Sequence, residues 1–571
     1  MTQKKLNLVL CWHMHQPWYR ETLEGDFRLP WVYLHALKDY ADMASHLETH
    51  PDMRVVVNFT PVLLEQLDDY AQQFASWRKQ RSGFSDALLN YLSGKIAIPA
   101  NEESRVELIR ACLRANAAQM IHPYASYRKM VEFITASDGV TINEELTPYL
   151  NEQFFLDLLT WYHIAWLGYS IKQDKRIVAL IKKGSQFSAK DREQLLEVVT
   201  DTMGNLLERY RLLAERDQIE LSMTPYAHPI VPLLIDFETM HDSLPEAPAP
   251  AYDDYPGGLE RARWHMQRGL DVFDQYFKCK PSGVWLSEGA VSEDAVKMLK
   301  EFDIKWTASG EGVWHNSTYL SGFNVHDPEA RQSLFRCHHL QHDPQPKLFF
   351  RDDGLSDLIG FEYQQWDAND ATADFLKNLE NISVYLEHAP GDHVVSVILD
   401  GENAWEYYLD NAFHFLDALY TGLTRSPHLN LLTYQDAVKT CPPAELPKLC
   451  AGSWVYGSFS TWIGEADKNR GWELLVEAKQ AYDKAVDQLG ARQRETATLQ
   501  LAICEGSDWF WWFGDYNPSD SVSDFDELYR QQLRHLYELL GLKAPKNLDQ
   551  PLSKGHGNAE NAGTMRRGHG N

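Results

Sequence analysis

Apolar runs that end in polar residues recur along the chain and predict buried strands. The first run is "LNLVLCWHMHQP", starting at Leu6, and the second is "RVVVNFTP", from Arg54 to Pro61. Both are nearly all apolar, as is typical of strands buried on both faces of a sheet. Between them, "PWVYLHALKDYADMASHLETH" has its apolar residues at helical spacing. Strand, helix and strand in this order predict a βαβ unit and hence a parallel sheet.

The same patterns predict a barrel-type α/β domain over residues 1–405 that contains a large helical insertion. From about residue 62 to 220 the pattern is mostly helical, as in "DREQLLEVVTDTMGNLLERYRLLAERDQ". Strand patterns then return in "IELSMTPYAHPIVPLL", "PSGVWLSEGAV", "IKWTASGEGV" and "HVVSVILDGENAW", with helix-like segments between them. Repeated strand, polar end and helix is typical of barrels whose loops carry the functional site.

The alternation of strands and helices stops after about residue 405. Residues 406–545 contain helical patterns such as "WELLVEAKQAYDKAVDQLG", which predict a helical C-terminal domain packed on the barrel. Residues 546–571 are rich in Gly, Asn and His and have no apolar periodicity. We therefore expect them to form a disordered tail.

The charge of the chain argues against several kinds of partner. The formal net charge is -27 at pH 7, whereas nucleic acid and anionic membrane surfaces require clustered Lys and Arg. The apolar run at the start is too short for a signal peptide, and no run approaches the roughly 18 residues of a membrane span. We expect a cytoplasmic protein that binds neither nucleic acid nor membranes.

The cysteines and aromatic residues narrow the chemistry further. Seven cysteines are scattered without a CxxC pair, which argues against a disulfide framework and a thiolate zinc site. They are expected to be reduced core thiols. Aromatic residues make up 12% of the chain, and their flat faces suit stacking on sugar rings as well as ordinary packing.

Two acids stand at the polar ends of predicted strands: Glu288 in "GVWLSEGAVSE" and Asp400 in "VILDGENAW". Strand ends of one barrel face the same cleft, so folding can bring these acids together. Glycoside hydrolysis requires such a pair, because one carboxylate attacks or stabilises the sugar and the other protonates the departing oxygen. A helix cap or loop hydrogen bond is the alternative role, and Glu293 at a predicted helix start fits it better.

Histidines also mark predicted strand ends. His13 and His15 follow the first strand, and His228 ends "LSMTPYAHP". The HxH spacing places both imidazoles on one face, as a mononuclear metal hydrolase would need, but spacing identifies no third ligand. Neutral imidazoles serve equally well as hydrogen-bond partners of sugar hydroxyls. Both interpretations remain open on the residues alone.

Two stretches near the C-terminus are unusually aromatic and polar: "GSWVYGSFSTWIGEADKNRGWELL" and "CEGSDWFWWFGDY". They are candidates for the outer part of a sugar cleft, with Asp508 orienting the sugar and tryptophans stacking on it. The candidate stacking residues are Trp454, Trp462, Trp509 and Trp512. A Trp-rich interface between domains is the alternative.

Taken together, these residues resemble glycoside hydrolase family 57, and within it the amylopullulanase-like and α-amylase-like members. Five stretches carry the resemblance, in family order: "HMHQP", "LSMTPYAHPI", "GVWLSEGAV", "VILDGENAW" and "GSWVYGSFSTWIGE". The likeness runs from about residue 5 to 542 and so covers nearly everything but the predicted tail.

The resemblance implies a fold, a reaction and a set of site residues. The implied fold is an incomplete (β/α)7 barrel followed by a helical domain. Glu288 would be the nucleophile and Asp400 the acid/base of a retaining enzyme that cleaves α-glucosidic links in starch, glycogen or maltodextrins, without metal or other cofactor. The residues expected to bind the substrate are His13, His15, Gln16, Trp18, His228, Trp285, Glu402, Trp405, Trp462, Asp508 and Trp509.

Three other functions are compatible with the sequence. A 4-α-glucanotransferase or branching enzyme would use the same two carboxylates and differ in whether sugar or water reaches the intermediate. A metal-dependent deacetylase-like hydrolase would use His13 and His15 as ligands. A glucan-binding protein without activity is disfavoured because both acids are present.

Overall fold

The strand that ends at Asp400 belongs to a parallel sheet. The computed structural model describes residues 4–136, 139, 141–341, 343–557 and 563–568. In these residues the strands, β1 to β9 in chain order, are Leu6–Met14, Val55–Phe59, Ile219–Met223, Trp306–Ser309, His338–Leu340, Asp343–Phe350, Val394–Asp400, Leu429–Leu431 and Ala444–Leu446. The predicted α/β class with a parallel sheet is confirmed.

The strands form two sheets. The first has the order β3-β2-β1-β7, with β8 also paired to β1, and all its pairs are parallel. The second has the order β4-β6-β5-β9, in which β5 and β6 are antiparallel and the other pairs parallel. Single parallel bridges connect Met223 to Val284, Gly283 to Trp306, and Arg351 to Ser396. The carboxyl ends of β1, β2, β3 and β7 therefore lie side by side.

Helices connect the strands and make up most of the remaining chain. The α-helices of the described residues, α1 to α23 in chain order, are Trp31–His35, Ala41–Thr49, Pro61–Gln80, Ala87–Ser93, Glu102–Cys112, Ala125–Ile134, Glu152–Ala165, Tyr169–Lys172, Lys175–Lys183, Ala189–Glu215, Val231–Ile235, Gly258–Phe277, Glu293–Glu301, Glu311–Leu320, Pro328–Ser333, Asp353–Asp357, Ala368–Tyr385, Phe413–Arg425, Tyr434–Thr440, Ala466–Ala485, Ala491–Cys504, Asp508–Trp512 and Ser519–Leu539. None of these helices combines the length and apolar composition that crossing a membrane requires.

The helices α3 to α10 lie between β2 and β3, where the sequence predicts a helical insertion. The first begins at Pro61, which suits the first helical position because its missing N–H would have no partner there. The last, α10, begins with a capping box in which Ser188 and Asp191 each bond the other's backbone N–H. These two long helices pack against each other.

Two strand predictions differ from the structure. The stretch "PSGVWLSEGAV" forms only bridge pairs at Gly283 and Val284, followed by a 3-10 turn at Ser287–Gly289. Extended structure stops there because Glu288 and Gly289 both have positive φ. Conversely, β6 was not predicted, since it begins "DPQP" and proline disfavours strand interiors.

The region after residue 405 is mostly helical but also completes both sheets. The strands β8 and β9 have three residues each and pair with β1 and β5. Such short strands produce no recognisable alternation in the sequence. One continuous apolar core runs from Leu6 in β1 to Leu548 beyond α23.

The described residues of the predicted tail are packed, which differs from the expected disorder. Lys546–Asp549 forms a 3-10 turn, and the backbone N–H of Gly557 donates to the carbonyl of Asn517 at 3.0 Å. Met565 is 7% exposed and belongs to the core. The contacts come from distant parts of the chain, so composition could not reveal them. Residues 558–562 and 569–571 of the predicted tail lie outside the described residues.

Candidate active site

A cleft lies at the carboxyl ends of the parallel strands. It encloses about 520 Å³, within the usual range of small-molecule sites. The predicted site residues that line it are His13, His15, Gln16, Glu288, Asp400, Glu402, Trp454, Asp508 and Trp512. The structure thus brings together residues separated by up to five hundred positions in the chain.

Strand register places four polar residues in a row at the floor of the cleft. Asp400 of β7 pairs with His13 of β1, His13 with Asn58 of β2, and Asn58 with Ser222 of β3. The Asn58 side chain donates from Nδ2 to Ser222 Oγ, so its Oδ1 accepts from His13 Nδ1 at 2.7 Å. This bond fixes the His13 tautomer with Nδ1–H. The other nitrogen, Nε2, has no partner in the described part of the chain and remains an acceptor.

Two further histidines stack beside His13. The rings of His15 and His228 have centroids 3.8 Å apart, and His13 is 5.3 Å from His228. His15 Nε2 donates to Asp508 Oδ1 at 2.7 Å, and His228 Nδ1 bonds Ser507 Oγ at 2.8 Å. In each ring the other nitrogen is buried and has no hydrogen-bond partner among the described residues. His13 and His15 line the cleft and therefore each offer a nitrogen to a ligand, whereas His228 is buried against His15 and does not line the cleft.

Burial keeps two of these imidazoles neutral. Desolvation, with help from His15, lowers the pKa of His13 to about 3. Desolvation likewise lowers the pKa of His228 well below its usual value. At neutral pH these residues are hydrogen-bonding groups rather than cations, so His228 Nδ1, 4.0 Å from Glu288 Oε1, forms no ion pair with it.

Glu288 is held in a strained conformation by the residues around it. Its φ is 59° and its ψ 22°, a left-handed conformation that costs a non-glycine residue about 1–3 kcal/mol. The backbone N–H of Trp454 donates to the Glu288 carbonyl at 3.1 Å, and Trp454 Nε1–H donates to Glu288 Oε2 at 2.9 Å. The Trp285 ring lies directly beneath Gly289, where a Cβ would approach it to 2.6 Å. The surrounding structure thus fixes the direction of the Glu288 carboxylate.

The two candidate acids have raised pKa values and influence each other. Burial and the negative charge of Asp400 raise the pKa of Glu288 to about 8, while Trp454 and the charge of Arg566 act in the opposite direction. Burial raises the pKa of Asp400 to about 6, opposed by a bond from Asn403 Nδ2 to Asp400 Oδ2 at 2.9 Å. With these pKa values the two acids together hold one proton at neutral pH, and that proton favours Glu288.

Glu402 is a third buried acid beside the pair. Its Oε1 accepts a bond from the His15 backbone N–H at 3.1 Å, which joins the loops after β1 and β7. Burial and the charge of Asp400 raise its pKa well above the usual value. Glu402 lines the cleft, and it also holds two site loops together.

One group of site residues could hold a metal ion. Ligand atoms of His15, His228 and Asp508 all lie within 4.8 Å of one another. His13, which the sequence suggested as a ligand beside His15, is not part of this group. The existing bond between His15 Nε2 and Asp508 Oδ1 would have to be replaced by bonds to the ion.

Several predicted sugar-contacting tryptophans are core residues instead. Trp285, Trp405, Trp462 and Trp509 are at most 1% exposed and do not line the cleft. Trp405 donates to the Gly401 carbonyl and Trp509 to the Ile503 carbonyl, both at 2.9 Å. Trp18 is half-buried and packs against the core. The rings of the four buried tryptophans are covered by protein and so do not face the cleft.

The cleft residues that were not predicted include Arg351, Trp511 and Arg566. Arg351 follows β6 and is bound to Asp353 and Asp357. Its position at the end of a strand would have indicated a cleft residue, but the prolines of β6 kept that strand from being predicted. Trp511 belongs to α22, next to the tryptophans that were considered. Arg566 lies in the predicted tail, where the sequence contains no comparable signal.

Buried carboxylates at the ends of parallel strands, beside neutral imidazoles, define an enzyme of the glycoside hydrolase type. Glycosyl hydrolase family 57 matches residues 9–450, well over half of the chain, and the protein belongs to this family. Comparison with curated protein sequences found no significant match.

Three solved structures have a similar fold. A branching enzyme from Pyrococcus horikoshii has a TM-score of 0.57 and 14% identity, over 95% of this chain and 93% of that one. An α-amylase from Thermotoga maritima also has a TM-score of 0.57 and 14% identity, over 95% of each chain. A 4-α-glucanotransferase from Thermococcus litoralis has a TM-score of 0.51 and 14% identity, over 94% of this chain and 60% of that one. At such identities the likeness is one of fold.

Proposed function

We propose that the protein is a retaining enzyme that cleaves α-glucosidic bonds of glycogen, starch or maltodextrins. The observation that carries this proposal is the placement of Glu288 and Asp400 in one cleft, buried and close enough for the charge of one to shift the pKa of the other. The solved relatives named above act on α-glucans according to their names, which supports this substrate class.

In this mechanism Glu288 is the nucleophile and Asp400 the acid/base. Asp400 donates its proton to the glycosidic oxygen while a Glu288 oxygen forms a bond to the anomeric carbon, and the bond to the leaving sugar breaks. Asp400, now a carboxylate, then removes a proton from water, which attacks the anomeric carbon and releases Glu288. The bond from Trp454 directs the Glu288 carboxylate during both steps.

The proton shared by the two acids must be on Asp400 when the bond breaks. In the free cleft the higher pKa, that of Glu288, favours a proton on Glu288. Positive charge that develops at the anomeric carbon next to Glu288 favours its ionised form, while the glycosidic oxygen offers Asp400 an acceptor. Substrate therefore moves the proton to the residue that must donate it.

The remaining polar groups suit a neutral sugar. His13 Nε2 is a fixed acceptor, and the unused nitrogen of His15 is a second partner for hydroxyl groups. We assign these residues, with Gln16 and Asp508, to the sugar whose bond is cleaved. The ring of parallel pairings through the single bridges is consistent with an incomplete (β/α)7 barrel, which is part of the same proposal.

A second candidate is transfer of the sugar to another glucan. Two of the solved relatives are a branching enzyme and a 4-α-glucanotransferase. In this protein, transfer would follow if an acceptor sugar attacked the covalent intermediate in place of water. The same two carboxylates serve either outcome. The acceptor that reaches the intermediate decides between them.

The test is incubation of the purified protein with maltoheptaose, glycogen and pullulan, with products followed by chromatography. Glu288→Gln and Asp400→Asn should each lower activity by about 10³-fold or more, since each removes a group that acts in the transition state. Glu293→Gln is the matched control, because Glu293 is exposed on α13. It should leave activity unchanged.

The products distinguish the candidates. Shorter sugars alone indicate hydrolysis, whereas longer chains or new α-1,6 branches indicate transfer. Activity that disappears with a chelator and returns with a divalent metal would favour the His15, His228 and Asp508 cluster as a catalytic metal site. A wild-type protein that acts on none of the three glucans would overturn the assignment to α-glucan chemistry.

A further inference from the structure

A segment near the end of the chain closes part of the catalytic cleft. Residues 563–568, here called the strap, come from the region beyond the last long helix. Thr564, Met565 and Arg566 line the same cleft as Glu288 and Asp400. The strap is therefore positioned where it can affect the ligands that enter.

The strap occupies an aromatic surface of the cleft. The Arg566 guanidinium lies over Trp511, 4.5 Å from the ring centre, and 4.7 Å from the ring centre of Tyr516. Trp511 Nε1–H donates to the Gly563 carbonyl at 2.8 Å. One face and the polar edge of the Trp511 ring are thus engaged by the strap. Exposed tryptophan faces in such clefts are what sugar rings stack on.

Charge favours the docked position of the strap. It carries Arg566 and Arg567 on a protein of net charge -27. The cleft beneath it contains acidic residues that include Glu288, Asp400, Asp508 and Asp520. Arg567 binds Glu362 at 2.9 Å and lies over the Phe361 ring, while the Arg566 hydrogen bonds go to Thr461 Oγ1 and the Trp511 carbonyl. The attachment is largely polar and is supplemented by the buried Met565.

The far end of the strap is held by Gly568. Its N–H donates to Asp357 Oδ2, and its carbonyl accepts from the Tyr456 N–H, both at 3.0 Å. A Cβ at this position would lie 2.4 Å from the Asp353 carboxylate and 2.8 Å from Arg351 Nη1. Arg351 is itself buried against Asp353 and Asp357, so this neighbourhood cannot move aside easily. Any larger residue at 568 should expel the strap.

We propose that the strap sets the chain length of the glucans that the enzyme accepts, a proposal that rests on the function proposed above. Short oligosaccharides fit in the cleft beneath the docked strap. A long chain has to extend over Trp511 and therefore has to displace Arg566 and its neighbours. The strap thus lowers activity on polysaccharides relative to short sugars.

Two variants remove the strap without altering the candidate catalytic residues. Gly568→Leu introduces a side chain where no space exists, and a chain that ends at residue 562 lacks the strap altogether. Gly204→Leu is the matched control, because Gly204 lies on α10 with open space around its Cβ position. Each protein is assayed at its own optimum pH, since loss of Arg566 also removes a charge that acts on Glu288.

The readout is kcat/KM for glycogen compared with kcat/KM for maltotriose. Both strap variants should raise the glycogen value by about fivefold or more, because a site that is only partly open binds in proportion to the open fraction. The maltotriose value should stay within about twofold, and Gly204→Leu should match wild type on both. An equal change on both substrates, or a loss on both, would overturn the proposal.

A binding measurement separates this proposal from the proposed function. In Glu288→Gln, hydrogen exchange of the Tyr456 amide reports the bond to Gly568 without any turnover. Amylose should accelerate this exchange and maltotriose should not. Binding of amylose with unchanged exchange would refute the strap alone, whereas binding of neither sugar would refute the α-glucan assignment itself.

Discussion

Glu288, which lines the cleft, and the buried His228 beside it share an unusual backbone conformation. Their φ values are both 59°, a region that few residues other than glycine adopt. Such strain persists only where surrounding contacts enforce it, and here Trp454 and Ser507 hold the two side chains. The strain directs both side chains towards the same space.

The coupled acids predict a bell-shaped dependence of kcat/KM on pH. Below about pH 6 both acids are protonated and no nucleophile is present, and above about pH 8 neither holds the proton that the leaving oxygen needs. Activity should therefore be highest between these values. The measurement is kcat/KM for maltoheptaose across pH, and a flat profile from pH 5 to 9 would contradict the assignment of the pair.

Trp454→Phe should change this profile in a defined direction. The bond from Trp454 Nε1 lowers the pKa of Glu288, so its loss raises that pKa and moves the alkaline limb to higher pH. Loss of a hydrogen bond to a charged group should also reduce kcat/KM by about tenfold. Trp512→Phe is the control, since Trp512 lines the cleft and packs on Phe525. A limb that moves to lower pH would contradict the role of Trp454.

Single residues also show how far the sequence could be interpreted. The positions of Glu288, Asp400, His13 and His15 were predictable because polar residues that end parallel strands meet at one edge. The core positions of Trp462 and Trp509 were not, since a tryptophan beside polar residues has the same local pattern whether its ring is covered or open.

At the scale of elements, a buried ionic cluster connects α12 to the end of α21. Glu505 accepts bonds from Arg261, from His265 Nε2 at 2.8 Å and from the Tyr255 hydroxyl at 2.6 Å. The side chains of Glu505 and His265 are fully buried. Burial opposes ionisation of Glu505, but Arg261 and His265 outweigh it and lower its pKa to about 2. The cluster fixes the helix that leads to Ser507 and Asp508.

Glu505→Gln should destabilise the protein by about 3–5 kcal/mol, because it leaves a buried Arg261 without its counter-charge. The pKa of Glu505 is lower in the folded state than its value of about 4.3 in the unfolded state, so ionised Glu505 stabilises the fold above that pH. This contribution disappears as the pH falls through about 2. The difference in free energy of unfolding between wild type and variant should therefore shrink below about pH 4. Urea titrations at several pH values measure it.

The exposed Glu495 on the same helix provides the control for this change. Glu495→Gln should alter the free energy of unfolding by less than about 0.5 kcal/mol. A Glu505→Gln variant as stable as this control would show that the cluster does not hold α12 to α21.

At the scale of the whole molecule, the region after residue 405 is part of the same folding unit as the two sheets. It supplies β8 to the first sheet, β9 to the second, and Trp454 and Asp508 to the cleft. One apolar cluster includes residues from both regions. The sequence suggests two domains, but both regions contribute to the same apolar core.

We expect one cooperative unfolding transition as a result. Circular dichroism at 222 nm, which reports the helices, and tryptophan fluorescence, which reports the cleft and core, should have the same midpoint in denaturant. Two separated midpoints would show that the regions unfold independently, contrary to the shared sheets and core.

The sequence by itself determined the α/β class, most of the first sheet and the helical regions, and it singled out candidate acids and histidines. Apolar runs ending in polar residues predicted the parallel strands, and the acids and histidines at those ends indicated the cleft. Parallel strands place the residues at their carboxyl ends on one edge of the sheet, independently of the rest of the fold. Only the tertiary structure decided which tryptophans face the cleft, how Trp454 holds Glu288, and that the strap closes over Trp511. Those features depend on contacts between segments hundreds of residues apart, and local periodicity contains no information about such contacts.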